Sequence, residues 1–339
     1  EGLDLDEGED AEVERATRGP LVDLVELGGQ RTAEADAGLH RRTRAELGRQ
    51  RDGCDAAGVV GQRRVAVGRR EVLVAGQARA AGVRVRRGQA ERRAGRPLDF
   101  VSIASPNFLH SAHMQWALRS GSHAICEKPL VLHPEQIDEL KAIEADTGRK
   151  IYTILQLRLH PAILALRDRV SQTPDGEKVD VDLTYVTSRG NWYLKSWKGA
   201  VEKSGGIATN IGVHFYDMLH FVYGKVHENI VHLNTPMKAA GYLEYERARV
   251  RWFLSLDESD VPAEERAKGK RTYRAVIAGG ENLEFSDGFT ELHTKIYQDI
   301  LSGGGFGVED NRGAIETVST IRNAPIAPIG SLTHPFVRN

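Results

Sequence analysis

Two short polar runs combine residue types that can transfer protons. The first is Glu127-Lys128-Pro129, which follows the mostly apolar run His123–Cys126. A strand that ends on this sequence directs a lysine out of the carboxyl end of a sheet, where ligands bind in open α/β folds. Proline fixes its own φ and has no N–H, so Lys128 lies at a rigid corner. A solvated lysine at a strand exit is the alternative interpretation.

The second run is a polar stripe on a helix predicted over about residues 207–222. Asn210, His214 and Asp217 are four and three residues apart, which places them near one face of a helix that is otherwise apolar. Polar groups on such a face are costly to bury unless they are paired or line a site. Because imidazole titrates near neutral pH, His214 is a candidate general base, although a lone buried histidine is often structural.

Alternating strands and helices must position the first run. Strands are predicted at Leu98 to Ser105, His123 to Glu127 and Lys150 to Leu155, with helices at Phe108 to Arg119 and Pro134 to Thr147. A strand–helix–strand unit of about 30 residues implies parallel strands and a right-handed crossover. The pattern predicts an α/β fold in which residues 97–150 form the second half of a Rossmann-like, doubly wound parallel sheet.

A second domain is predicted over residues 151–339, where the pattern changes. Apolar and polar residues alternate from Val179 to Tyr185 and from Arg247 to Trp252, as in strands with one wet face. Runs at Arg274 to Ile277 and Glu281 to Phe285 flank a Gly-Gly pair, which predicts a hairpin. With helices near 207–222, 288–302 and 310–323, this is an α+β domain with a mostly antiparallel, open sheet.

The first 96 residues differ in composition from the rest of the chain. They contain no lysine, serine, isoleucine, phenylalanine, tyrosine or tryptophan, and Arg is abundant. A domain without these apolar residues has little from which to build a core. We hypothesise that residues 1–96 are an aberrant, out-of-frame, Arg-rich segment in place of the first Rossmann half; a divergent domain or a disordered arm is the alternative. An intact open frame on resequencing the gene would contradict the hypothesis. Within the segment, Arg64–Val67 and Glu71–Ala75 are strand-like.

Charge and cysteine usage narrow the class of protein. The net charge of −1 over 339 residues gives no electrostatic case for binding nucleic acid or an anionic membrane. No apolar run reaches the roughly 18 residues of a membrane helix, and the acidic first residues are not a signal peptide. Cys54 and Cys126 are far apart, as in a protein of the reducing cytoplasm. His110 and His113 lack further ligands at metal spacing, so no metal site is predicted.

Three different motifs are distributed over the two predicted domains. They are Ser105-Pro106-Asn107-x-x-His110, Glu127-Lys128-Pro129, and Gly205-Gly206 followed by Asn210-x-x-x-His214. Together they resemble the glucose-fructose oxidoreductase/inositol dehydrogenase (Gfo/Idh/MocA) family of NAD(P)-dependent dehydrogenases. The runs 156–161, 188–199 and 246–253 resemble one branch, the UDP-2-acetamido-2-deoxy-glucuronate 3-dehydrogenases of bacterial surface-polysaccharide (O-antigen) synthesis. The resemblance covers about residues 97–327.

The resemblance implies a cofactor and a set of binding residues. NAD would lie across the strand ends; NADP stays open, because the discriminating region falls within residues 1–96. The residues near the cofactor would be Ser105, Pro106, Asn107, His110, Glu127 and Lys128. Candidates for the carboxylate or diphosphate of a nucleotide sugar are Arg158, Arg189 and Tyr193, with Asn210 and Asp217 beside them; surface salt bridging is the alternative for the arginines.

The resemblance also implies a reaction, oxidation of the C3 hydroxyl of UDP-N-acetylglucosaminuronate to a ketone. His214 would take the hydroxyl proton, and Lys128 would hydrogen-bond the same oxygen and stabilise its negative charge, although the two could exchange roles. Many relatives carry Asp where this chain has Asn210, and an amide can only orient. Alternatives are a relative acting on a free sugar, inositol or another nucleotide sugar, and a non-catalytic sugar-binding protein. By analogy the chain would form a dimer or tetramer.

Overall fold

The structure, a computed structural model, describes residues 64–67, 70–75, 98–174, 176–283 and 291–338. Most of the Arg-rich segment, and the hypothesis about its reading frame, therefore lie outside the described residues. Within them the chain forms one largely parallel sheet and one mixed sheet. In the part of the chain that the structure covers, no helix is long and apolar enough to cross a membrane.

The first sheet contains five strands in sequence order. They are β1 (Arg64–Val67), β2 (Arg70–Ala75), β3 (Phe100–Ile103), β4 (His123–Cys126) and β5 (Ile151–Thr153). β1 pairs with β2 in the antiparallel sense, whereas the pairs from β2 to β5 are all parallel. The parallel arrangement predicted from the strand–helix–strand pattern is confirmed. The two strand-like runs before residue 76 are also strands, and β2 lies beside β3.

Two helices complete this part of the fold. α1 (His110–Arg119) follows a 3-10 turn at Asn107–Leu109, and α2 (Glu135–Thr147) ends at Gly148 in the left-handed region, with φ of 64°. β5 pairs with β4, so the first domain continues beyond the boundary predicted at residue 150. Strands β3 and β5 are shorter than the sequence segments predicted to form them. The chain turns at Ser105-Pro106 and after Thr153, and these turns end the strand pairing.

The second sheet has six strands in the order β11-β10-β6-β9-β8-β7. They are β6 (Val179–Thr187), β7 (Val226–Asn234), β8 (Lys238–Tyr245), β9 (Ala248–Ser255), β10 (Thr272–Ala278) and β11 (Glu281–Asn282). All neighbours are antiparallel except β6 and β9, so the predicted, mostly antiparallel sheet is confirmed. Gly279 and Gly280 both have positive φ, which the two-residue hairpin between β10 and β11 requires.

The second domain contains nine helices within the described ranges. They are α3 (Pro161–Ser171), α4 (Asn191–Lys195), α5 (Val201–Ser204), α6 (Gly206–Asn210), α7 (Val213–Tyr223), α8 (Ala263–Ala267), α9 (Leu292–Ser302), α10 (Arg312–Asn323) and α11 (Pro335–Arg338). The prediction of a single helix over 207–222 is wrong, because α6 ends before Gly212 and α7 starts after it. A Cβ on Gly212 would stand 2.6 Å from the Ala208 carbonyl oxygen and 2.7 Å from Leu254, so this break is closely packed.

The last part of the chain returns to the first sheet. Ile296 and Ile300 of α9 pack in one apolar cluster with Phe100 and Ile125 of β3 and β4. The hydroxyls of Ser102 and Tyr297 are 2.7 Å apart, which adds a polar contact at the same place. Part of the region predicted as the second domain thus covers the parallel sheet. Helix α9 therefore packs against β3 and β4 of that sheet.

Candidate active site

Glu127-Lys128-Pro129 lies where the sequence predicted, directly after β4 at the carboxyl edge of the parallel sheet. The Glu127 N–H donates to the Ile103 carbonyl at 2.9 Å, so the corner is fixed to the end of β3. The Lys128–Pro129 peptide bond is cis. Both charged side chains are half-buried, which leaves part of each accessible to a ligand.

His110 joins this corner to the loop after β3. Its buried ring lies between two backbone carbonyls, with Nδ1 2.7 Å from the Pro129 oxygen and Nε2 2.6 Å from the Ser105 oxygen. Burial lowers the pKa of His110 even though both carbonyls and Glu127 act in the opposite direction. The side chain of Ser105 pairs with His113 Nδ1 at 2.9 Å. His110 therefore shapes the two strand-end loops that the family resemblance assigned to the cofactor.

A chain of hydrogen bonds runs from the first domain into the second. The Asn107 amide donates to the Ser204 carbonyl at 2.9 Å and to the Asn210 side-chain oxygen at 3.1 Å. The Asn210 amide in turn donates to the Tyr193 hydroxyl at 2.8 Å. Asn107, Asn210 and Tyr193, chosen from separate parts of the sequence, are thus brought together. Asn107 and Tyr193 are almost fully buried, so the contact fixes the relative position of α6 and the β3 loop.

His214 lies in the first turn of α7, just past the break at Gly212. Burial lowers its pKa well below 6.5, and the positive charges of Lys128, His293, Arg274 and Arg189 lower it further. The ring is therefore neutral at neutral pH and can accept a proton. Among the described residues no hydrogen bond is made by the ring. The charge of Lys128, a residue of the first domain, thus acts on a histidine of the second domain.

Glu127 has a partner that the sequence analysis missed. His293 Nε2, at the start of α9, lies 3.5 Å from the Glu127 carboxylate. Burial alone would raise the pKa of Glu127, but the bond to His293 and the charges of His293, Lys128 and His110 hold it below its usual value. Glu127 is therefore an anion beside Lys128. No local pattern marks His293, because its role depends on the return of α9 to the first sheet.

Arg158 and Asp217, predicted to contact substrate, bind each other instead. The Arg158 guanidinium donates to both carboxylate oxygens of Asp217, at 3.0 and 2.7 Å, and also to the side chain and the carbonyl of Asp310. Arg158 is 7% exposed and Asp217 is 2% exposed. No bidentate fork remains for a ligand, so the geometry favours a structural role for both residues. Within the polar stripe on the predicted helix, Asp217 is therefore used for an ion pair inside the protein. Asn210 instead bonds to Asn107 and Tyr193.

Arg189 is accompanied by a second arginine that the sequence analysis did not select. Arg274 of β10 pairs directly with Tyr185 of β6, and its guanidinium carbon lies 5.3 Å from the centre of the Tyr185 ring. Burial would raise the pKa of Tyr185, but the charges of Arg189 and Arg274 outweigh it and lower the pKa. No local signal marks Arg274, since β10 is predicted from the sequence but its pairing with β6 is not.

The arrangement combines a neutral base, a lysine and orienting amides at a sheet edge. His214 can take a proton, and Lys128 can donate a hydrogen bond to the oxygen that loses it. Within the described ranges, no group of three or more His, Cys, Asp or Glu side chains could hold a metal ion. The site is therefore suited to proton removal from a hydroxyl group, assisted by positive charge.

Two family models match the chain. The model described as the oxidoreductase family, NAD-binding Rossmann fold, matches residues 52–154, and the model of the C-terminal alpha/beta domain of the same family matches residues 177–266. The first match starts inside the Arg-rich segment, upstream of residue 97 where the resemblance read from the sequence begins. Together the two models cover more than half of the chain.

Known proteins of several substrate classes are similar to the chain. Crystal structures of the WlbA (WbpB) dehydrogenase from Thermus thermophilus, one with NAD and alpha-ketoglutarate and one with NAD and UDP-GlcNAcA, are 49% identical with a TM-score of 0.72. Each match covers 76% of this chain and 82% of the other. The D-glucoside 3-dehydrogenase of Escherichia coli (strain K12) is 31% identical over 37% of this chain and 36% of its own length. The inositol 2-dehydrogenase of Rhizobium meliloti (strain 1021) is 28% identical over 38% and 37%. The chain thus spans little more than a third of the curated relatives that it matches.

Proposed function

This chain belongs to the Gfo/Idh/MocA oxidoreductase family, and we propose that it uses NAD to oxidise the C3 hydroxyl of UDP-N-acetylglucosaminuronate to a ketone. The observation that carries the proposal is that the charge of Lys128, at the carboxyl edge of the parallel sheet, acts on the buried ring of His214 in the second domain and helps to lower its pKa. The likeness to a WlbA dehydrogenase crystallised with NAD and UDP-GlcNAcA supports the choice of substrate.

The residues at the ends of β3 and β4 fit a dinucleotide. Parallel strands that end side by side leave a crevice at their carboxyl ends, and His110 holds the loops on both sides of it. Ser105, Pro106, Asn107, His110, Glu127 and Lys128 would shape or contact this crevice. The bound NAD would supply a hydride acceptor. NADP stays open as an alternative, because the region that would discriminate against it lies before residue 97.

The chain's own residues would manage the proton and the charge. His214 is kept neutral by burial and by the positive charges of Lys128, Arg274 and Arg189, so it accepts the proton of the C3 hydroxyl. Lys128 donates a hydrogen bond to the same oxygen and stabilises the negative charge that develops on it. Asn210, held between Asn107 and Tyr193, orients the sugar without relaying a proton. Lys128 and His214 could exchange the roles of base and electrostatic partner.

One other function has support from particular observations, and a second has none. The likeness to a D-glucoside 3-dehydrogenase and to an inositol 2-dehydrogenase favours a family member that acts on a free sugar or on inositol. A non-catalytic sugar-binding protein would keep a pocket but would not need a neutral histidine beside a lysine. We further propose, from the family likeness alone, a homo-oligomer that acts in the cytoplasm on an intermediate of surface-polysaccharide synthesis.

The test is single-turnover NADH fluorescence of the full chain mixed with NAD and each candidate substrate. We expect NADH from UDP-GlcNAcA, and little from UDP-GlcNAc, D-glucosides or myo-inositol. Turnover of a glucoside or of inositol alone would replace the proposal with the first alternative. Binding of UDP-GlcNAcA without any NADH would favour the non-catalytic alternative.

Substitutions at the two candidate catalytic residues extend this test. Lys128→Met and His214→Ala should each lower kcat by about 10²-fold or more, as for loss of a general acid–base group. Lys150→Met is the matched control, because Lys150 is exposed and precedes β5 at the opposite edge of the same sheet. Near-normal kcat in Lys128→Met or His214→Ala would remove that residue from the mechanism.

A further inference from the structure

One face of helix α9 contacts the parallel sheet. Ile296, Tyr297 and Ile300 follow His293 by three, four and seven residues, the spacing of a single helix face. The two isoleucines pack in the apolar cluster that includes β3 and β4, and the hydroxyl of Tyr297 lies 2.7 Å from a serine hydroxyl of β3. One turn earlier, the ring of His293 reaches the carboxylate of Glu127, directly after β4. The packing of α9 on the sheet thus holds His293 beside Glu127.

The negative charge of Glu127 is stabilised mainly by His293, whose Nε2 lies 3.5 Å from the carboxylate. Burial raises the pKa of Glu127. His293 is the group that does most to lower it again, followed by the adjacent Lys128 and by His110. Burial lowers the pKa of His110, so that ring contributes little positive charge at neutral pH. Lys128 is therefore the cation that remains for Glu127 when His293 is removed.

The ammonium group of Lys128 is not engaged by a carboxylate in the described part of the chain, where Glu127 is directed to His293 instead. Both Glu127 and Lys128 are long side chains, adjacent in the sequence and half-buried. Opposite charges attract more strongly in such partly buried surroundings than in water, so the two would pair once Glu127 lost its present partner. That pair would occupy the ammonium that the proposed reaction needs.

We propose that His293 is a positioning residue that holds the Glu127 carboxylate away from Lys128, so that the Lys128 ammonium stays available to the substrate oxygen. The use of Lys128 in catalysis rests on the proposed function, whereas the hold on Glu127 rests on the contact that α9 makes. His293 acts through Glu127 and does not touch the reacting atoms. A residue of the last part of the chain thus keeps a charge available in the first domain.

Competitive acylation of the full chain measures the availability of Lys128 without any substrate. The chain is labelled with a trace of acetic anhydride at constant pH, and the rate at Lys128 is divided by the rate at the exposed Lys150 by mass spectrometry. In His293→Leu we expect this ratio to fall about three- to tenfold, because a carboxylate stabilises the protonated, unreactive amine. His293→Gln keeps an N–H donor for Glu127, so its ratio should stay within about twofold of the wild-type value.

Tyr297→Phe is the matched control, because it removes the other polar contact of the same helix face and leaves Glu127 untouched. The acylation ratio should not change in this variant. An equal fall in Tyr297→Phe and His293→Leu would overturn the proposal, because looser packing of α9 would then explain both. An unchanged ratio in His293→Leu would overturn it as well. If His293→Leu does not fold, His293→Asn takes its place, since the shorter amide cannot reach Glu127 and should lower the ratio in the same way.

A double-mutant cycle with Glu127→Gln tests whether His293 acts through Glu127. With UDP-GlcNAcA, His293→Leu should lower kcat and kcat/KM by similar factors of about tenfold in the wild-type background, as for an interaction made in the transition state. In Glu127→Gln, which has no negative charge to compete for Lys128, the further loss should be less than about twofold. Equal losses in the two backgrounds would contradict the positioning role.

The two measurements separate this proposal from the proposed function. If UDP-GlcNAcA gives no NADH but the acylation ratio falls in His293→Leu alone, the proposed function fails and the hold on Glu127 stands. If UDP-GlcNAcA is oxidised and the ratio is the same in all variants, the proposed function stands and the positioning role of His293 is rejected.

Discussion

His214 owes its protonation state to residues from four other places in the chain. Lys128 follows β4, Arg189 follows β6, Arg274 lies on β10 and His293 begins α9. Burial contributes most, and each positive charge adds to the cost of protonating the ring. A histidine in such surroundings is unprotonated at neutral pH and can accept a proton, although its lowered pKa makes it a weaker base than a free imidazole. The sign of this effect can be checked through the pH dependence of the reaction.

The acid limb of kcat/KM for UDP-GlcNAcA should lie well below pH 6.5. A base must be unprotonated to act, so the rate falls only as pH drops through the lowered pKa of His214. Arg274→Met removes one positive neighbour, which raises that pKa and should move the limb toward higher pH. Arg249→Met, on an exposed strand position, should leave the limb in place. A limb at or above 6.5 in the wild-type chain would show that His214 is not the base.

The break between helices α6 and α7 sets the positions of Asn210 and His214. The chain from Asn210 to Val213 passes close to the end of β9, where Leu254 and Tyr216 leave no space for a side chain on Gly212. A continuous helix would instead place Asn210 and His214 one above the other. With the break in place, Asn210 accepts a hydrogen bond from Asn107, and His214 starts a separate helix.

Gly212→Ala should therefore misplace both polar residues. Its Cβ would lie 2.6 Å from a backbone oxygen, so the chain must shift, and we expect a loss of about 1–3 kcal/mol in the free energy of unfolding. The kcat should also fall, because His214 moves relative to Lys128. Gly330→Ala is the matched control, since a Cβ on Gly330 would meet no atom within 4 Å. Equal stability of the two variants by urea unfolding would contradict this role for Gly212.

The strands, the hairpin and the helix break show which features of the fold can be predicted from the sequence. Alternation identified β6 and β9, and the Gly-Gly pair identified the hairpin from β10 to β11, because both signals are local. The break at Gly212 was missed, because its cause is the distant Leu254 and the apolar period of residues 207–222 continues through it. The Lys128 and His214 motifs were local as well. Their shared environment, with Arg274 and His293, depends on tertiary contacts.

Arg158 joins three distant segments of the chain. It leaves the turn after β5, binds Asp217 on α7 and reaches Asp310 before α10, while its guanidinium lies 5.2 and 5.0 Å from the rings of Phe221 and Phe306. From the sequence, Arg158 and Asp217 are predicted to be separate substrate contacts, since their 59-residue separation conceals the pair. The ion pair instead ties the helix of the candidate base to the parallel sheet.

Arg158→Met should destabilise the fold strongly. Without the guanidinium, the Asp217 carboxylate stays buried with no cation, and breaking such a pair costs about 3–5 kcal/mol. The pKa of Asp217, already raised by burial, should rise further because Arg158 is the group that opposes this. Arg169→Met is the matched control: its pair with Glu281 is exposed and should be worth less than about 1 kcal/mol. Similar urea midpoints for both variants would argue against the structural role.

The hydrogen bonds from Asn107 through Asn210 to Tyr193 have a fixed polarity. Each amide donates to the next oxygen, so the Tyr193 oxygen is an acceptor and its own hydrogen points away from Asn210. A carboxylate at position 210 could still accept from Asn107 but could not donate to Tyr193. Asn210→Asp would thus turn the phenol hydrogen back toward residue 210. One amide therefore decides the direction in which the tyrosine hydroxyl donates its hydrogen.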